Sequence, residues 1–259
     1  MNTFARTPLD SETPARWKMI YLARRNPTLA AEDFAQAWRE HASLGCQCRN
    51  VQDKVLGVKQ CTRLRSDGEH SAEDGGLRGT STGYDGVNLL QLRDLGVASD
   101  LWNDPDTLAI MRPDEPRVFS TYVRDFTLVC RERVLRAAPA EPVALPVALF
   151  GFLRRHPHVS KTDFDAAWAN GPPTDWLAAP ALQRAQRVVH NSVVQTPPAG
   201  YEYDGIAEWW FDSAEAARMA FGGSGAGGDL RGSLPEAYGA LADLQHSVFM
   251  FTQVTHQRP

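Results

Sequence analysis

The stretch 21–38 is written twice in this chain. Arg24, Arg25 and Pro27 return as Arg154, Arg155 and Pro157, and Asp33, Phe34, Ala37 and Trp38 return as Asp163, Phe164, Ala167 and Trp168, all at one shift of 130 positions without a gap. A sequence that carries an internal copy folds either into two like units or into one body built from both. A second echo supports the copy: Tyr84-Asp85-Gly86-Val87 returns as Tyr203-Asp204-Gly205-Ile206 at a shift of 119. The shorter shift means that the first copy holds a longer connection, visible as the Gly-, Ser-, Asp- and Glu-rich run Ser66 to Gly83. In the second copy only Thr196-Pro197-Pro198-Ala199-Gly200 stands there.

A chain of 259 residues accommodates two units of roughly 110 to 130 residues. The expected boundaries are a flexible leader 1–16, a first repeat 17–135, a linker 136–146 and a second repeat 147–259. The formal charge of −4 and the lack of a long Lys/Arg cluster argue against a nucleic-acid partner. The longest apolar run, Val143 to Leu153, is broken by Pro146 and falls short of the roughly 18 residues a spanning helix needs, so no membrane association is expected. The start, Met1 to Glu12, has no apolar core segment of a secretory signal, and a cytoplasmic location is the expectation. Four cysteines, Cys46, Cys48, Cys61 and Cys130, suit a reducing compartment. Cys46-x-Cys48 has no matching Cys/His pair at zinc-site spacing, so no metal site is expected.

Aromatic and branched residues predict strands at Trp17–Leu22, Val55–Leu64, Val87–Leu92 and Val118–Cys130 in the first copy. In the second they predict strands at Val147–Leu153, Arg187–Gln195, Ile206–Phe211 and Ser247–Val254. Between Ala30 and His41, Phe34, Ala37, Trp38 and His41 fall on one helical face. Further helices are predicted over Asp94–Trp102, Ser160–Trp168, Ser213–Phe221 and Pro235–Leu244, with Asp94 as an N-cap. Gly222 to Gly228 reads as a flexible loop, too rich in glycine to hold regular structure, and without the Lys-Ser/Thr of a phosphate cradle it is not expected to bind a nucleotide. Each copy thus has the order β-α-β-β-α-β of a ferredoxin-like unit. Continuous apolar runs such as Leu149 to Leu153 imply strands covered on both faces. The expected fold is α+β: two tandem ferredoxin-like repeats packed sheet-to-sheet as an intramolecular α+β barrel, with helices outside.

An aromatic strand ending in Arg-Arg-x-Pro, then a helix with Asp-Phe-x-x-Ala-Trp and a His just beyond, resembles the EthD family of the dimeric α+β barrel superfamily. The resemblance spans both copies, with the fullest motif at Tyr21 to His41. It implies a pocket between sheet and helices in each half and a small hydrophobic or aromatic ligand. Relatives in the superfamily act as cofactor-independent oxygenases, dehydratases, decarboxylases or isomerases, and some bind haem. The expected function is therefore an EthD-like small-molecule binding protein or an enzyme needing no bound cofactor, with association into a homodimer left open. The alternatives are a non-catalytic accessory protein with a degenerate second site, or a haem-binding barrel using His41 or His190. The chain departs from the family pattern in two places. His41 stands three residues after Trp38 rather than four, with Ser43 in place of the usual Pro, and Asn170-Gly171-Pro172 after Trp168 contains no His.

His41 is the catalytic candidate, a general base or acid near neutral pH. The plainer alternative is a histidine stabilised at a helix C-terminus. The pocket candidates are Tyr21, Trp38 and Trp168 from the repeated motif, with His190, Asn191, Tyr203 and Trp209 from the second copy. For these the alternative is a satisfied core histidine among aromatic core residues. Arg24, Arg25, Arg154 and Arg155 are expected in ion pairs with Asp33, Asp163 or Asp85. Tyr-Asp-Gly is expected as a turn whose Gly supplies an unusual backbone angle.

Overall fold

In the computed structural model of the chain, residues 16–49, 51–65, 76–139, 144, 146–222 and 229–258 are described. Residues 1–15 of the leader, the stretch 66–75 of the long polar connection and the stretch 223–228 of the glycine-rich loop lie outside the described residues, while Arg16 already belongs to β1. The strands are β1 (Arg16–Ala23), β2 (Val55–Arg63), β3 (Gly86–Leu92), β4 (Thr127–Arg136), β5 (Val147–Leu153), β6 (Arg187–Val193), β7 (Gly205–Phe211) and β8 (Val248–Arg258). The helices are α1 (Phe34–Leu44), α2 (Val97–Asn103), α3 (Glu115–Val118), α4 (Lys161–Asn170), α5 (Pro173–Trp176), α6 (Pro180–Gln183), α7 (Ala214–Phe221) and α8 (Glu236–Leu241). A π-helical turn, Thr107–Met111, stands between α2 and α3.

The expectation of two ferredoxin-like sheets facing each other is overturned. All eight strands form one closed antiparallel barrel in the order β1-β3-β2-β8-β5-β7-β6-β4. Cys61 pairs with Val254 across β2 and β8, and Cys130 pairs with Val193 across β4 and β6, so the seam closes on both sides. The physical reason lies in the edges. A separate four-stranded sheet leaves two rows of unpaired N–H and C=O groups, and closure satisfies them all. Apolar patterning reports which faces are covered but is silent about edges.

Alternation along each strand divides the side chains between two environments. Ile20, Leu22, Cys61, Val87, Leu89, Phe150, Phe152, Ile206, Trp210 and Met250 fill the barrel interior. Met19, Tyr21, Leu149 and Trp209 point outward, into aromatic and aliphatic layers beneath the helices. An eight-stranded barrel is just wide enough for side chains to fill it. β5 and β7, covered on both faces, are buried along their whole length.

The two sequence echoes serve one purpose, which is to lock turn to strand to helix. Asp85 accepts the backbone N–H of Arg25 at 3.0 Å and Asp204 accepts that of Arg155 at 2.9 Å. Each arginine also pairs with its aspartate at 3.4 Å, whereas Asp33 and Asp163 do not serve as partners. Asp163 instead works at the start of α4, donating its backbone N–H to Ser160 Oγ at 3.0 Å and accepting from that hydroxyl at 2.6 Å. The glycine that follows each Tyr-Asp is needed for space rather than for an unusual angle. A Cβ on Gly86 would lie 2.5 Å from Trp38 Cζ3, and one on Gly205 would lie 2.9 Å from the Trp168 indole.

The strand expected over Val118–Cys130 is displaced. Val118 ends α3, Phe119 makes one bridge to Arg25, Val123–Asp125 forms a 3-10 turn, and β4 runs from Thr127 to Arg136. Val118, Phe119, Val123 and Phe126 are buried against α1 and β1, so their strand-like composition reflects core packing. The linker expected at 136–146 begins inside β4. Asp94 accepts the Val97 N–H at 3.2 Å and so serves the first turn of α2, although the helix itself begins three residues later.

Candidate functional site

α1 is held to the barrel by Phe34, Ala37, Trp38 and His41, which form its buried face. His41 sits in its last turn and is 4% exposed. The start of α3 comes to meet it: His41 Nδ1 lies 3.0 Å from Asp114 Oδ2. A carboxylate only accepts, so Nδ1 carries the proton and Nε2 keeps its lone pair. Asp114 is itself fixed, receiving Arg117 Nε at 2.7 Å and Arg117 Nη2 at 3.1 Å. That guanidinium, together with His41, holds the Asp114 carboxyl below its ordinary range against the effect of burial. Burial pulls His41 below its ordinary value, and Asp114 offsets only part of that. His41 is therefore neutral at pH 7, in the tautomer of a base.

His41 forms part of the wall of a pocket of about 80 Å3 between β1, β2, β3, α1 and the π-helical turn. Most of the lining is apolar, with Val55, Val58, Leu90, Leu101, Trp102 and Met111. Tyr21, Gln60, Asn88, Thr107 and Glu115 add polar atoms. Gln60 is oriented by its Nε2, which donates to Trp38 O at 3.1 Å, and this leaves Gln60 Oε1 without a partner. Asn88 Oδ1 and Thr107 Oγ1 are likewise buried and unpartnered. Buried unpaired polar atoms cost about 1–3 kcal/mol each; of these three, Gln60 Oε1 and Asn88 Oδ1 can only accept, whereas the Thr107 hydroxyl can also donate. Glu115 accepts the Val123 N–H at 2.9 Å, and burial pushes its carboxyl up. The Tyr21 hydroxyl accepts Trp38 Nε1–H at 3.2 Å, and its phenol is pushed well up by burial.

The corresponding place in the second half is filled by aromatic rings, and it too holds buried polar atoms without partners among the described residues, His190 Nδ1, Trp176 Nε1 and Trp209 Nε1. Strand register sets Gly151 opposite Ala207 where Tyr21 faces Asn88, and His190 opposite Ala207 where Gln60 faces Asn88. His190 stacks on Trp168 at 3.5 Å with the rings 2° apart, and Trp176 and Tyr238 meet it edge-on. Its Nε2 is 2.7 Å from the Tyr238 hydroxyl, and burial pulls it well below the ordinary histidine value. Trp209 closes the same layer against Tyr238 and Phe221.

Of the sequence candidates, His41 and Tyr21 share the pocket wall. Trp38 lies behind it, wedged between Tyr21, Phe34 and Gly86. Trp168, His190 and Trp209 belong to the aromatic fill. Asn191 and Tyr203 point the other way, into the barrel. There Asn191 Nδ2 donates to Glu208 at 2.9 Å, and Tyr203 packs on Phe152 beneath Arg154. Adjacent strand residues face opposite sides, so His190 and Asn191 are not brought together. Asp114, Gln60, Asn88, Thr107 and Glu115 were absent from the sequence candidates. A β-strand pattern counted outward from Tyr21, whose partner is Asn88, is the one signal that points to Asn88 and Gln60.

Neither histidine offers haem an open axial position. His190 is enclosed by rings, and the pocket at His41 is too small for the macrocycle. Among the described residues no group of three or more His, Cys, Asp or Glu is placed to hold a metal ion. No helix among them is long and apolar enough to cross a membrane.

No protein-family model and no curated protein matches the sequence. Solved structures do. An anthrone oxidase-like protein superposes with a TM-score of 0.55 at 11% identity, covering 95% of this chain and 94% of that one. A monooxygenase-like protein from Fusobacterium nucleatum superposes with a TM-score of 0.53 at 8% identity, covering 94% of each chain. At such identities the likeness establishes the fold alone, a closed eight-stranded antiparallel barrel with helices outside.

Proposed function

We propose that this chain binds a compact, largely apolar or aromatic molecule bearing a hydrogen-bond donor in the pocket beside His41, and that His41 Nε2 removes a proton from it. The observation that carries this reading is the Asp114–His41 pair at the wall of an apolar pocket. The half-buried Asp114 carboxylate fixes the tautomer, and burial of the imidazole itself keeps the base neutral near pH 7. Gln60 Oε1 and Asn88 Oδ1 orient the donor, while Val58, Leu90 and Trp102 cover the rest. Proton removal is a step shared by cofactor-independent oxygenases, isomerases, dehydratases and decarboxylases, the classes implied by the EthD resemblance. For this chain the reading rests on its own residues.

The pocket is smaller than the roughly 150 Å3 in which a benzene ring is held. Its outer wall is the π-helical turn with Met111, a flexible side chain that yields readily. The division into a first unit, 17–135, and a second, 147–259, belongs to the same proposal, with the working site in the first and the second filled by Trp168, Trp176, His190, Trp209 and Tyr238. A second reading, an accessory binding protein without turnover, draws on that filled half.

Turnover of a panel of hydroxylated aromatic and polyketide-like compounds tests the proposal. The expected result is conversion by the native chain that is lost in His41→Ala with folding intact. Binding of the same compounds without conversion in either protein would favour the accessory reading. Conversion unchanged in His41→Ala would overturn the proposal.

A further inference from the structure

We propose a second site, independent of the first: the barrel mouth at the Lys18 end binds a small, multiply charged oxyanion, carboxylate or phosphate, through Lys59 and Arg187. A recess of about 360 Å3 there is faced by Arg16, Lys18, Lys59, Arg187 and Arg258 but by only two carboxylates, Glu132 and Glu208. Both carboxylates already have partners. Lys18 Nζ stands 2.6 Å from each of them. Glu132 also receives Arg16 at 3.5 Å and Arg187 at 3.4 Å. Glu208 also receives Asn191 Nδ2 at 2.9 Å and Trp210 Nε1 at 2.8 Å.

Lys59 is the cation left over. Among the described residues it has no carboxylate at ion-pair distance, and its ammonium rests 4.4 Å from the centre of the Trp210 ring. Burial pulls it below its ordinary value, the mark of a desolvated cation whose nearby charges do not compensate it. Among the described residues, Arg258 at the rim has Cys46 Sγ, at 3.4 Å, as its acceptor. A dianion between Lys59 and Arg187 would supply the missing countercharge, and the guanidinium offers paired donors to its oxygens. Trp210 beneath Lys59 and Leu89 beside it keep the floor apolar, which strengthens the attraction.

The test is thermal unfolding of the full chain in sodium phosphate, sodium malonate or sodium chloride at matched ionic strength. The expected result is a saturable rise of about 3 °C with phosphate, malonate or both, beyond chloride. Whichever oxyanion acts identifies its source. Lys59→Met should weaken that effect about tenfold or more, and Arg187→Gln, which removes the second donor, serves as the parallel variant should Lys59→Met not fold. No saturable difference from chloride, or an undiminished effect in the folded variants, would overturn the assignment.

Discussion

His41 and Asp114 are 73 positions apart in sequence, yet their side chains meet at 3.0 Å because the last turn of α1 abuts the residue that precedes α3. One contact fixes which imidazole nitrogen is free. Replacing Asp114 by Asn therefore removes both the counter-charge and the tautomer preference. The His41 pKa should fall further, since the group opposing burial is gone, and turnover should drop by a factor on the order of 10² to 10⁴. Proton NMR titration of the imidazole, beside steady-state rates, checks both.

Stability should fall on the acid side. His41 and His190 both have folded-state values below the ordinary 6.5. The unfolded chain then binds more protons in that window, so stability is fully present above about pH 6.5 and is lost as pH falls below it. For one fully buried histidine the slope approaches about 1.4 kcal/mol per pH unit. Urea unfolding of the native chain and of His190→Phe between pH 7 and pH 5 should show a shallower slope in the variant. Equal slopes would mean that His190 does not titrate on unfolding.

Gly86→Ala should destabilise the chain by about 1–3 kcal/mol, because the new methyl group meets the Trp38 ring and the Cys61 carbonyl. The midpoint of chemical denaturation measures this. Gly205→Ala, facing Trp168, should behave alike.

Lys18→Met should cost about 3–5 kcal/mol, since it leaves Glu132 and Glu208 inside the barrel without the cation they share. Burial alone pulls Lys18 down, but Glu208 and Glu132 outweigh it and hold the ammonium above its ordinary value. Glu208 is correspondingly held low by Lys18. Adding Glu208→Gln to Lys18→Met should recover part of the loss.

What could be read from the residues follows from where each kind of information is stored. The repeated Arg-Arg-x-Pro and Tyr-Asp-Gly are local, and they mark the turns that Asp85 and Asp204 tie down. The buried face of α1, including His41, follows from helical period alone. Strand edges carry no such pattern, so pairing of β2 with β8 and of β4 with β6 was invisible, and with it the single closed barrel. Asp114 lay hidden beside a segment rich in Val, Phe and Tyr that mimics a strand. The charged ends of β4 and β8, Arg131 to Arg136 and His256 to Arg258, resemble loop, yet they pair with β6 and β2 in the barrel. His190 and Asn191 look like one polar site only until strand alternation sends them to opposite faces.

The proposed function stands on a neutral His41 that presents an open Nε2 to the pocket. Nitrogen-15 NMR of the histidine side chains at pH 7, without and with phenol as a compact hydroxylated probe, tests it most directly. The expected result is a His41 ring protonated at Nδ1 and bare at Nε2, with the Nε2 resonance shifting saturably on phenol addition while His190 stays unmoved. A His41 found doubly protonated at pH 7, or phenol perturbing His190 in place of His41, would contradict it.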